Sequence, residues 1–333
     1  MQYSVVHFFI IETVFLTTSL LKNKKIKSWL FFLLIVFYSS FIGYRNENIG
    51  IDTKAYIIEY LSGTGGYFSE KGFTFIGKYL YKWGFGWQSY FTFLSILSLS
   101  NYCLGYKLNI KKEKNYSLIC WIFFFNITAL YGNVNGIRQF IAGSFLLLSI
   151  SFLKKEKNIW SYLFFAIGIS FHKSLIIFIF LYVKWFWKIF KKLNNNQKRL
   201  VIFICIVLSF FLEHLLLLNH QVEDYSQKYF NKTFYIKYIF LLLTYLFYQK
   251  NKNKEKFIEY VFFYTFLIIS LFINFEHLSN RFIYYINIFT PILFYQMFDK
   301  KDKIINKKTL VLIVFIYHIL ILFYPSTKAM FCF

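Results

Sequence analysis

Apolar runs of roughly 15 to 20 residues alternate with short lysine clusters along the whole chain, close to the length a helix needs to cross a bilayer. This alternation limits the fold more than any single motif does, because cytoplasmic loops of membrane proteins are where Lys and Arg collect. Composition excludes the alternatives. The chain is 58% hydrophobic and 25% aromatic, above the apolar content of soluble domains, about 45 to 50%. A disordered chain would hold few aromatics. A formal charge of +23 would point to nucleic acid if the cations lined a polar groove interleaved with aromatic rings. Here they sit between apolar runs, so no nucleic-acid partner is expected.

Twelve runs can be bracketed: Val5 to Leu21, Trp29 to Tyr44, Gln88 to Leu108, Ser117 to Tyr131, Arg138 to Leu153, Ile159 to Phe171, Ser174 to Phe190, Leu200 to Leu218, Thr233 to Tyr248, Ile258 to Ile273, Phe282 to Phe298 and Leu310 to Tyr324. The fold class expected is therefore all-α, a polytopic integral membrane protein of about 12 transmembrane helices, within a range of roughly 10 to 13. Residues 1–333 are read as a single transmembrane domain. The first run lacks a basic leader and a small-residue cleavage site, so a retained helix is expected and not a signal peptide. Cys103, Cys120, Cys205 and Cys332 occur singly and imply neither a metal site nor a disulfide framework.

Basic residues at 22–28, 107–115, 154–157, 184–199, 250–256 and 299–308 account for 26 of the 38. These are alternate loops. The asymmetry places them in the cytoplasm and both termini outside.

Most loops are short, but the second outer segment runs over 45–87. Within it, Gly50-Ile51-Asp52-Thr53 reads as a turn and helix cap, and Tyr56, Ile57, Tyr60 and Leu61 share a helical face. Farther on, Phe73, Ile76 and Leu80 fall on one side and Lys71, Lys78 and Lys82 on another. Two short interfacial helices, separated by Gly63, Gly65 and Gly66, are expected. Outer carboxylates are concentrated there, with Glu47, Asp52, Glu59 and Glu70.

Arginine is scarce: Arg45, Arg138, Arg199 and Arg281 are the four in the chain. Three of them fall at outer helix ends, whereas Arg199 belongs to a cytoplasmic cluster. A guanidinium binds phosphate oxygens through a two-pronged fork that Lys cannot reproduce. Arg138 follows the polar break Gly132-Asn133-Val134-Asn135-Gly136, and Arg281 follows Asn274, Glu276, His277, Ser279 and Asn280. His172, in Phe171-His172-Lys173-Ser174, marks a tight outer turn with a group that titrates near neutral pH. Glu12 and Glu213 lie inside apolar runs, where a carboxylate faces a cavity or a partner.

These residues resemble the EpsG family, Wzy-like membrane proteins that polymerise exopolysaccharide, capsule or O-antigen repeat units. The likeness rests on Arg45 with Gly50-Ile51-Asp52 and Tyr56, on Glu70-Lys71-Gly72-Phe73, on Ile137-Arg138-Gln139 with Ala142, on His172-Lys173-Ser174 and on Arg281. The family more often has Gly-Thr-Asp where this chain has Gly50-Ile51-Asp52.

The resemblance implies a helical membrane glycosyltransferase of GT-C-like architecture in a bacterial cytoplasmic (inner) membrane. Its substrate would be an undecaprenyl-diphosphate-linked oligosaccharide held among membrane lipid at the outer face. Arg138 and Arg281, with Arg45, would hold the diphosphate, with Gln139 and Tyr56 beside them. Asp52, Glu70 or His172 would serve as general base. No cofactor, nucleotide sugar or obligatory metal is implied; a chain-length regulator and a flippase of the same pathway would be partners. A lipid-linked oligosaccharide flippase and a membrane O-acyltransferase acting on surface glycan are the alternatives.

Overall fold

A computed structural model describes residues 5–63, 70–110, 116–217, 232–250 and 254–298, together with 311, 314–316 and 318. Among the described residues all regular structure is helical. The elements are α1 (Val5–Leu20), α2 (Lys24–Gly43), α3 (Thr53–Ser62), α4 (Lys71–Lys82), α5 (Trp87–Asn109), α6 (Tyr116–Phe124), α7 (Ile127–Val134), α8 (Ile137–Lys154) and α9 (Asn158–Phe171). A 3₁₀ run (Lys173–Tyr182) follows, then α10 (Lys184–Lys192), α11 (Asn195–Leu217), α12 (Lys232–Lys250), α13 (Lys256–Leu271) and α14 (Glu276–Phe298). The chain divides into two compact units, Met1–Ile176 with Asp302–Phe333, and Ile177–Lys301.

In the first unit, α8 is the central rod, packed against α5, α7 and α9. Its sequence is apolar on every face, and the serines among those residues make the cross-links. Ser149 Oγ donates to Ser161 O at 2.5 Å while Ser161 Oγ donates back to Ser149 O at 2.7 Å, which ties α8 to α9. Towards α5, Asn101 Nδ2 donates to Ser144 Oγ at 3.3 Å, and Tyr102 OH donates to Phe140 O at 2.8 Å. Such small and polar contacts hold helices together where lipid removes the hydrophobic drive. On α2 the periodicity sorts Phe31, Ile35, Tyr38 and Phe41 inward. Trp29, Phe32, Leu33 and Phe37 stay exposed as an apolar outer stripe suited to lipid.

The second unit is built around α13, against which α11, α12 and α14 pack. Glu259 on α13 is buried between two cations: Lys198 Nζ lies 2.8 Å from Oε1 and Lys254 Nζ 3.2 Å from Oε2. A buried carboxylate without such partners would be costly.

Two expected spans are broken. The run from Ser117 to Tyr131 stops at Asn126, whose Oδ1 accepts from Ala129 N at 2.9 Å and caps a new helix. The resulting halves of the α6–α7 pair meet at a bend of 66°. The run from Ser174 to Phe190 becomes the 3₁₀ segment, an extended Val183 and α10. Lys184, Lys188, Lys191 and Lys192 recur at helical spacing, so α10 carries a charged face that does not suit a hydrocarbon core. Carbonyls of the 3₁₀ segment find partners on α13: Tyr264 OH donates to Ile177 O at 2.5 Å, and Tyr260 OH donates to Phe180 O at 3.4 Å. By length and composition, α2 and α8 are apolar enough to cross a membrane, and the bent α6–α7 pair passes as one broken span. Helices α1 and α9 and the 3₁₀ run are apolar but shorter. The expected Leu310 to Tyr324 span lies largely outside the described residues.

Candidate functional site

The 45–87 segment holds two short helices, α3 and α4. Their inner faces join α5, α8 and the end of α9 in one aromatic cluster that includes Tyr56, Phe73, Phe91, Ile137 and Phe171. Four of the candidates stand about one turn or less from a member of that cluster: Asp52 before Tyr56, Glu70 before Phe73, Arg138 after Ile137 and His172 after Phe171. Packing of the apolar residues therefore gathers the polar ones.

Arg138 is the hub. Its Nη1 donates to Glu70 Oε2 at 2.5 Å, and both side chains are largely buried. The guanidinium carbon lies 5.7 Å from the centre of the Tyr56 ring, within cation–π range. Tyr56 OH donates to Asn135 O at 2.9 Å. Burial pushes the Tyr56 phenol up to about 12, so it stays a donor at physiological pH. Gln139 follows on the same helical turn, half-buried.

Three helices begin at this cluster: α3 at Asp52, α4 at Glu70 and α8 at Gly136. In none of them does the N-cap side chain bond a first-turn amide. Asp52, expected as a cap, therefore leaves its carboxylate for other work. Uncapped helix N-termini present N–H groups and the positive end of the helix dipole, and together with an arginine they favour an anion.

Asp52 is exposed. Even so, partial desolvation by its neighbours raises its carboxyl above the ordinary carboxylate value, with the charge of Arg138 pulling the other way. His172 is half-buried at the C-terminal cap of α9. Ser174 N donates to His172 Nδ1 at 3.3 Å, and Ser174 Oγ lies 3.0 Å from the same nitrogen. An amide N–H aimed at Nδ1 requires the lone pair there, so the proton of the neutral ring is on Nε2. Gly72 brings α4 against α9: a Cβ at that position would lie 2.3 Å from Ser170 Oγ and 3.1 Å from the Ser170 carbonyl. The absence of a side chain lets the start of α4 approach the end of α9 closely.

Arg45 has a different place from the one expected. It is 1% exposed, one of the largest fully buried side chains. Nη1 donates to Ile42 O at 3.2 Å, Nη2 to Val134 O at 3.2 Å and to Thr53 Oγ1 at 3.2 Å, and Nε to Thr53 Oγ1 at 3.3 Å. Its face rests on Phe91 at 4.6 Å. The guanidinium is committed to joining α2, α3 and α7, so a phosphate contact would require it to leave the protein interior.

Asn135 is the residue the sequence did not single out. Its Oδ1 accepts from Ile51 N at 2.7 Å, which fixes the turn before Asp52 against the turn before Arg138. Gly50, at φ 92, sits so close that a Cβ would meet Asn135 Oδ1 at 2.7 Å. The polar break around Asn135 was the available signal; its reach to Ile51 was not legible.

Arg281 lies on α14 in the second unit, exposed, and the cluster described above lies wholly in the first. Glu12, isolated in sequence, has a partner: His318 Nδ1 lies 2.6 Å from Glu12 Oε1, with both side chains 1% exposed. Trp121 meets the same imidazole edge-on at 5.1 Å. Glu213 lies on α11, and its side chain is outside the described residues.

The family model that matches the chain is that of the EpsG family, over residues 28–332. No curated protein and no solved structure matches.

Proposed function

The chain belongs to the EpsG family, and from that membership and the Arg138 cluster we propose a membrane glycosyltransferase that polymerises surface polysaccharide. Its substrates are undecaprenyl-diphosphate-linked oligosaccharide repeats at the outer face of the cytoplasmic membrane. The basic loops at 22–28, 107–115 and 154–157 support that orientation. An architecture of about twelve spans, several of them broken or short, belongs to the same reading.

The observation that carries it is Arg138 among three uncapped helix N-termini. In the reaction an acceptor hydroxyl attacks the anomeric carbon of the donor, the bond from that carbon to phosphate breaks, and the lipid diphosphate leaves with the negative charge. Fixed donors aimed at developing charge are the largest single source of rate enhancement in such transfers. Arg138 and the amides of α3, α4 and α8 supply them.

Asp52 accepts the hydroxyl proton. It is exposed to substrate, and its raised carboxyl is a stronger base than an ordinary one. Glu70 holds the Arg138 fork in the resting site and yields it to the diphosphate. His172 donates from Nε2 to a sugar or phosphate oxygen. Arg45 positions α3 from inside.

Replacing Arg138 by Lys keeps the charge and loses the fork. The surface glycan of that variant is expected as single exported repeats in place of a ladder. A second reading, a lipid-linked oligosaccharide flippase, draws on the buried Glu12–His318 pair, the kind of ionisable site a proton-coupled carrier uses. It predicts repeats trapped on the inner leaflet.

A further inference from the structure

Three consecutive residues at the end of α7 are each held by a different part of the chain. Asn133 Oδ1 accepts from Ser95 Oγ of α5 at 3.2 Å, Val134 O accepts from Arg45 Nη2 at 3.2 Å, and Asn135 Oδ1 accepts from Ile51 N at 2.7 Å. The stretch ends where α8 begins, and Arg138 follows within one helical turn of Asn135. The first two bonds tie α7 to α5 and to the segment after α2. The third differs, because it reaches a turn that carries a candidate base: Ile51 immediately precedes Asp52.

The backbone gives no reason for asparagine at this position. Asn135 has φ −102 and ψ −57, values open to any L residue. It is 0% exposed, and its Nδ2 makes no hydrogen bond among the described residues. An apolar side chain of the same size would avoid burying that donor. What asparagine supplies is the Oδ1 acceptor. The opposite turn is shaped to receive it, since Gly50 has φ 92 and a Cβ there would stand 2.7 Å from Asn135 Oδ1. The main chain of Asn135 serves the other half of the site. Its carbonyl accepts from Tyr56 OH at 2.9 Å, and the Arg138 guanidinium lies 5.7 Å from the centre of the Tyr56 ring. One residue is thus bonded through its side chain to the Asp52 turn and through its carbonyl to the ring beside Arg138.

We propose that Asn135 is a positioning residue for glycosyl transfer, whose Oδ1 holds the Asp52 turn in fixed register with Arg138. The inference rests on the polymerase reading, in which Asp52 takes the acceptor proton and Arg138 meets the leaving diphosphate. Those two groups act on opposite sides of one step, so their spacing sets the alignment of the attacking hydroxyl with the departing phosphate. A misplacement of about 1 Å in such a step costs roughly a hundredfold in rate. Loss of the Ile51 bond frees the turn before Asp52 and leaves Arg138 on Glu70 and Tyr56. Substrate binding then survives while transfer slows.

The test uses the full chain in nanodiscs and, as probe, undecaprenyl-diphosphate-linked single repeats extracted from a deletion host. Initial rates of ladder formation over a range of repeat concentrations give kcat and KM, per folded molecule, for wild type, Asn135→Leu and Asn135→Asp. The first variant keeps the size and loses the acceptor, whereas the second keeps the acceptor. Asn135→Leu is expected to lower kcat by about ten- to a hundredfold with KM within about twofold of wild type, and Asn135→Asp to recover most of that loss. A merely structural role removes folded protein and leaves both constants per folded molecule unchanged. Wild-type kcat in Asn135→Leu therefore overturns the proposal. So does a raised KM at unchanged kcat, or an Asn135→Asp variant as slow as Asn135→Leu. Should Asn135→Leu fail to accumulate, Asn135→Ala, which also lacks the acceptor, is measured in its place. Wild-type protein that leaves the repeats unjoined overturns the polymerase reading itself; wild type that joins them no faster than Asn135→Leu overturns the positioning role alone.

Discussion

Glu70 Oε2 accepts from Arg138 Nη1 at 2.5 Å across 68 residues of sequence, and this bond joins the start of α4 to the start of α8. A charge-assisted bond of this kind is worth about 1.5 to 3 kcal/mol. If Glu70 orients Arg138, Glu70→Gln slows polymer formation without ending it. Rates of polymer formation in membranes from wild type and Glu70→Gln check this. Complete loss in Glu70→Gln would make Glu70 the base.

Arg45 is bound to three segments and buried. Arg45→Ala leaves Thr53 Oγ1 and two backbone carbonyls with fewer donors and opens a cavity, so a loss of about 2 to 4 kcal/mol is expected. Thermal unfolding in detergent should show a clear fall in melting temperature for Arg45→Ala. Arg138→Lys, which keeps a cation opposite Glu70, should melt closer to wild type than Arg45→Ala does. A wild-type melt for Arg45→Ala would return that residue to the candidate phosphate binders.

Asp52 titrates above the usual carboxylate value because neighbouring protein removes part of its hydration. A base must be ionised, so activity rises with pH through that raised value, and Asp52→Asn is inactive at every pH. Stability runs the other way. A carboxyl raised in the folded state stabilises the fold below its unfolded value, and that contribution is lost as pH rises through the folded value. Asp52→Asn should therefore melt no lower than wild type at neutral pH, and it loses no cap bond. A variant that is active, or one that unfolds early, contradicts the role assigned to Asp52.

Gly72 sets how closely the start of α4 approaches the end of α9 at Ser170. Gly72→Ala forces a methyl into the Ser170 hydroxyl and against its carbonyl, an overpacking of roughly 1 to 3 kcal/mol. Activity should drop, and adding Ser170→Gly should recover part of it by removing the nearest atom. If the double variant is no better than Gly72→Ala alone, the contact does not control the site.

Much of this was legible in the amino-acid order. Helical spacing of Tyr56 and Tyr60 and of Phe73, Ile76 and Leu80 marked α3 and α4, and scarcity marked Arg138. Contacts distant in sequence were not legible: nothing in the order of residues pairs Glu70 with Arg138, or Glu12 with His318. Arg45 and Arg138 looked alike, since both are arginines at helix ends, and their roles diverge because Thr53, Ile42 O and Val134 O surround one and Glu70 the other. The broken spans escaped hydropathy because Asn126 breaks the helix with a cap bond and the four lysines of α10 fall on one face, neither of which an apolar count detects.

The most direct test of the central claim is the length distribution of surface glycan from a deletion host carrying Arg138→Lys, read on a gel beside wild type. A polymerase whose diphosphate contact is Arg138 yields exported single repeats and no ladder. An unchanged ladder would contradict it, and so would lipid-linked repeats trapped on the inner leaflet.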